Sequence, residues 1–93
     1  SASTNALHKL PKIAPKLHQL KLPKNKLSGS ISLAGFPHLQ ILDVADNAIS
    51  QITDLDRVPY LTWMSLSGNQ LTEMPMLRLY FLKTLWMNRN GLT

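Results

Sequence analysis

Apolar residues fall at a fixed spacing along the 93-residue chain, separated by positions that vary freely. The segments "LQILDVADNAI" (39–49) and "LTWMSLSGNQL" (61–71) share few residues, yet both fit L-x-x-L-x-L-x-x-N-x-L with Met, Val or Ile standing for some Leu. "LHQLKLPKNKL" (17–27) and "LKTLWMNRNGL" (82–92) fit as well, so complete copies begin at 17, 39, 61 and 82, spaced by 22, 22 and 21 residues. A partial earlier copy ends in "TNAL", with Asn5 and Leu7 in its last two places. Such a period marks an array of like units, each too small to bury an apolar face alone.

The elements follow from the spacing. In L-x-x-L-x-L, apolar and variable residues alternate, which predicts a short strand with one buried face. Neighbouring strands lie one period apart and run the same way, which predicts a parallel sheet. The remaining residues leave room only for a tight return. Ile31, Leu33 and Phe36, then Ile52, Leu55 and Val58, then Met74, Leu77 and Tyr80 are expected to supply the other half of the core from these returns. Pro37, Pro59 and Pro75 disfavour long helices there, so 3₁₀ turns or extended pieces are expected. An Asn follows each strand, where its amide can both donate to and accept from backbone groups. Asn5, Asn25, Asn47, Asn69 and Asn90 are therefore expected to form a buried ladder that satisfies turn backbone shielded from water.

This pattern resembles the leucine-rich repeat family, and the resemblance covers essentially the whole chain. It implies an α/β class of fold: a right-handed solenoid with parallel strands on the concave face and short 3₁₀ or extended returns on the convex one. Residues 1–93 then form one domain, with a partial unit at 1–16, units at 17–38, 39–60 and 61–81, and a truncated one at 82–93. Unit 39–60 is similar to the 22-residue class of intracellular scaffold and phosphatase-regulating proteins. "LPKIAPKLHQL" (10–20) is similar to the L-P-x-L-P-x-x-L run of secreted bacterial effectors, but has Ala14 where Pro is expected and Pro15 one place late. "LSGSI" (27–31) resembles plant receptor units without the Pro that follows in them. Neither end carries a polar capping element of the kind that shields a terminal core. The expectation is a slice of a longer solenoid.

Composition narrows the classes further. An apolar content of 44% suits a folded chain, and no stretch approaches the roughly 20 apolar residues of a membrane-spanning helix. Without cysteine there is no disulfide framework or thiolate metal site, and no Asn-x-Ser/Thr acceptor occurs. These features favour an intracellular protein, cytoplasmic or nuclear, with a secreted bacterial effector as the alternative. The net charge of +5 is lopsided, since residues 1–26 hold six lysines (Lys9, Lys12, Lys16, Lys21, Lys24, Lys26) and no acid. Such a run could meet an acidic partner, nucleic acid or a membrane surface. No aromatic residue interleaves with these lysines, as stacking on single strands would need, and they are read as solvated side chains between core positions.

No phosphate-cradling glycine loop, zinc motif or nucleophile elbow is present. His18 and His38 could approach across neighbouring strands, but no third ligand is evident, so no metal and no cofactor are expected. Asp54 with Asp56, and Asp43 with Asp46, read as solvated carboxylates on an open sheet rather than an acid/base pair.

The exposed strand positions carry the sharper signal. The third and fifth residues of L-x-x-L-x-L point away from the core: Gln19, Ile41, Trp63 and Thr84, then Lys21, Asp43, Ser65 and Trp86. Polar residues belong on a solvated face, so Ile41, Trp63 and Trp86 stand out, edged by Lys21, Asp43, Asp46 and Arg89. Either an added segment covers them or they anchor a partner. The preferred reading is a non-catalytic module that takes a protein or peptide on its concave face, with no small-molecule substrate. The alternatives are the substrate-recognition segment of a larger enzyme, such as a bacterial effector ubiquitin ligase, and a nucleic-acid-associated adaptor.

Overall fold

A computed structural model describes residues 13–72 and 79–90. Six strands and one 3₁₀ turn make up its regular structure. Four three-residue strands, β1 (Gln19–Lys21), β3 (Ile41–Asp43), β5 (Trp63–Ser65) and β6 (Thr84–Trp86), lie side by side in the order β1-β3-β5-β6. All three pairings are parallel, with Gln19 opposite Ile41, Ile41 opposite Trp63 and Trp63 opposite Thr84. The register steps equal the sequence period, as the alternation of buried and variable residues requires. A one-residue slip would turn Leu42 and Met64 outward. The ladder continues past the strands, where the Leu22, Val44 and Leu66 N–H groups donate to the carbonyls of Asp43, Ser65 and Trp86.

Strand β2 (Ser28–Ser32) pairs in parallel with β4 (Ala48–Thr53) to make a second, two-stranded sheet. Extended returns were among the expectations, but a paired sheet was not. Its register opens 20 residues apart, Ser28 opposite Ala48, and shifts after Gly29 so that Ser30 faces Gln51. Ser50 is the extra residue of this bulge. The turn Leu55–Arg57 is 3₁₀ and holds Leu55 in the core. The coarse class is therefore strand-dominated with parallel sheets. Among the described residues the returns are extended or 3₁₀, as expected, and none is an α-helix.

The core lies between the two sheets and is built from the periodic residues. Leu20, Leu22, Leu27, Leu42, Val44, Ile49, Met64, Leu66 and Leu71 are all buried, as are the return residues Ile31, Leu33, Phe36, Ile52, Leu55 and Val58. Burial of one such side chain contributes roughly 1.5–3 kcal/mol. In the third unit the expectation fails. Tyr80 is 91% exposed, and Leu79 packs against the core in its place. The cause is the one-residue shortening of that unit. Each return closes with an N–H three residues on donating to a carbonyl: Leu17 to Ala14, Leu39 to Phe36, Leu61 to Val58 and Leu82 to Leu79. Counted back from the strand that follows, Leu79 is the equivalent of Phe36 and Val58. Met74 and Leu77, like Asn5 and Leu7, lie outside the described residues. Leu79→Ala should cost about 1–2 kcal/mol, given its partial burial, and Tyr80→Ala less than about 0.5. Chemical denaturation of both variants checks this, and a larger loss for Tyr80→Ala would refute the assignment.

Candidate functional site

The residues that follow each strand are held by the asparagines. Nδ2 of Asn69 donates to the carbonyls of Val44 and Leu66 at 3.0 Å and of Ser67 at 3.3 Å, while Oδ1 accepts from the Ile49 N–H at 3.0 Å. Asn47 makes the same set with Leu22, Val44, Ala45 and the Leu27 N–H. Asn90 repeats it with Leu66, Met87, Asn88 and the Leu71 N–H. Asn25, at the described start of the ladder, donates to the Pro23 carbonyl and is buried. The amides of Asn47, Asn69 and Asn90 thus bond both their own turn and the preceding unit. Asn5 lies outside the described residues.

This ladder fixes a left-handed backbone just before each Asn. Lys24, Asp46, Gly68 and Arg89 have φ of 55°, 57°, 71° and 57°. Only one of the four is glycine, so the backbone tolerates a side chain in this column, and position 68 is glycine for another reason. A Cβ there would lie 2.2 Å from Oδ1 of Asp46. The Asp46 carboxylate occupies that space and reaches Arg89, 3.0 Å away on the next unit but one.

The four strands present the expected outward residues. Ile41 and Trp63 are register partners and half-buried, and Trp86 is 49% exposed two residues beyond Thr84, the partner of Trp63. Between Asp43 and Trp86 in register sits Ser65, which is buried although it lies on the outward side. Lys21, exposed, faces Asp43 across β1 and β3, and Oδ1 of Asp43 accepts the Ala45 N–H. The structure therefore gathers all seven residues on or beside one sheet face. The pairing of Asp46 with Arg89 was not legible beforehand, because neither lies within reach of the other in sequence.

Sequence reasoning missed a second row. His38, Tyr60 and Phe81 immediately precede the first Leu of their units, and their rings follow one another along the edge where the strands begin. Ring centroids are 6.1 Å apart for His38 and Tyr60 and 6.5 Å for Tyr60 and Phe81, both stacked. His18 continues the row with its ring 6.5 Å from His38, tilted. Tyr60 and Phe81 are more than half exposed. The signal was available in the column Lys16, His38, Tyr60, Phe81, once the third unit is counted back from Leu82.

Among the described residues no group of three His, Cys, Asp or Glu side chains could hold a metal ion. Asp54 accepts from the Ser32 hydroxyl and Asp56 is exposed on the 3₁₀ turn. Among the described residues no helix is long and apolar enough to cross a membrane. Compared with protein-family models, curated proteins and solved structures, the chain matches none.

Proposed function

We propose that the chain forms a leucine-rich-repeat solenoid and serves as a non-catalytic module that binds a protein or peptide on the exposed face of its four-stranded sheet. Support for the solenoid comes from strand pairing at the sequence period, from the repeated return turn and from the asparagine hydrogen bonds. Support for the binding role rests on one observation: Ile41, Trp63 and Trp86 lie together on the outward face of β3, β5 and β6. Large apolar side chains inside a rim of Lys21, Asp43, Asp46 and Arg89 have the anatomy of an interface hot spot. In this reading the face is concave, and an intracellular setting goes with the lack of cysteine.

Trp63→Ala should remove about 2 kcal/mol or more of binding to the partner. The measurement is capture of partners by wild type and by a Trp63→Ala/Trp86→Ala variant at a temperature where circular dichroism shows both folded. Equal recovery of the same partners by the two would refute this role for the face.

A further inference from the structure

Asp46, one of the two carboxylates nearest the lysine-rich end, is paired away from it. Lys24, Asp46, Gly68 and Arg89 follow one another just beyond the strand ends, and the N–H groups of the first three donate to Ala45, Ser67 and Asn88 of the next unit. Because Gly68 has no side chain, Asp46 lies over it and pairs with Arg89 rather than with Lys24 on its other side. That is the sole ion pair among the described residues. Asp43, the register partner of Lys21, engages one oxygen with the Ala45 N–H. Lys16, Lys21, Lys24 and Lys26 are all exposed, and residues 1–42 contain no acid. A positive end, faced by the single carboxylate of Asp43, therefore borders the apolar patch. Lys21 is one strand from Asp43 and Gln19 one strand from Ile41, a step of about 4.8 Å.

We propose that the segment bound by this face is acidic. Its carboxylates lie over Lys21 and Lys24 while a neighbouring apolar side chain sits on Ile41, Trp63 and Trp86, so that the segment crosses the strands from β1 towards β6. This inference rests on the reading of the face as a docking surface, and it adds the chemistry and direction of the partner. Phosphates would also satisfy the lysines. However, the exposed rings of His38, Tyr60 and Phe81 stand where the strands begin, whereas Lys21 ends β1 and Lys24 lies beyond it. Of the described lysines at this end only Lys16 lies on the ring edge, so a run of bases stacked there would leave Lys21 and Lys24 unused, which disfavours a single-stranded nucleic acid.

The test is selection of a random short-peptide display library on the wild-type chain at physiological salt, with the selected peptides then titrated against variants. The peptides should combine an apolar or aromatic residue with several Asp or Glu, and should weaken as salt rises. They should bind Lys21→Glu/Lys24→Glu about tenfold or more weakly, since like charges now oppose. Both lysines are exposed, so the variant should keep the wild-type unfolding midpoint. Peptides that need Trp63 and Trp86 but show no acidic excess, and bind the charge-reversed variant equally well, would overturn the acidic partner and leave the docking face standing. Selection of no peptide that needs the tryptophans would remove the docking face and this inference with it. Displacement of the peptides by equimolar oligothymidylate would overturn the inference in favour of nucleic acid.

Discussion

Asn69→Ala should lower the unfolding free energy by about 2–3 kcal/mol, more than most changes of a turn residue. The side chain is 6% exposed and makes four hydrogen bonds, three as donor and one as acceptor. Truncation leaves the buried Ile49 N–H without its acceptor, whereas the Val44 and Leu66 carbonyls lose this donor but keep Asn47 and Asn90. Each buried group left unsatisfied costs about 1–3 kcal/mol. The Val44 carbonyl belongs to the preceding unit, so the loss also loosens the contact between units. Gln70→Ala, at the exposed next position, should cost less than about 0.5 kcal/mol. Denaturant melts of the pair decide the matter, and equal midpoints would mean that the Asn69 amide does not bridge the units.

Gly68→Ala is expected to cost about 3 kcal/mol, from two separable sources. Placing a Cβ at φ +71° costs about 1–2 kcal/mol. The rest is overpacking, because that Cβ would lie 2.2 Å from Oδ1 and 3.2 Å from Cα of Asp46. The flexible carboxylate can swing away, at the loss of its contact with Arg89. The backbone Cα cannot. Since the ion pair is largely exposed, with Arg89 at 69%, it contributes little by itself. Adding Asp46→Ala to Gly68→Ala should therefore recover less than about 0.5 kcal/mol, since the backbone strain and the contact with Cα of residue 46 remain. A Gly68→Ala variant as stable as wild type would show that the space above Gly68 is open.

Much of this fold was legible in the spacing of Leu and Asn. Strands β1, β3, β5 and β6 and the register between them follow from an alternation with one buried face, repeated at a constant period. The ladder was legible for the same reason, because Asn is the residue that can donate and accept at once in a closed turn. So was the outward patch, since Ile41, Trp63 and Trp86 break a polar pattern on the solvent side. Less legible were features that depend on where the period slips. The shortened third unit moves the inward position from Tyr80 to Leu79, and it brings Phe81 into line with Tyr60 and His38. A forward count misplaces them because the lost residue lies in the return, where no periodic residue marks it.

Local pattern by itself determined which residues are buried, which turn and which face outward, since alternation and amide chemistry act within a few residues. Tertiary structure alone decided how the exposed groups combine. The second sheet pairs Ser28 with Ala48, and then Ser30 with Gln51 after a bulge, so neither register matches the 22-residue step between β1 and β3 of the same units. Returns carry no strict alternation, and their pairing is set by how the chain closes over the core. Asp46 meets Arg89 because the unit between them offers a glycine, and that turns its charge away from Lys24. Side-chain choice across three stacked units settles such a contact, and no single unit contains the information for it.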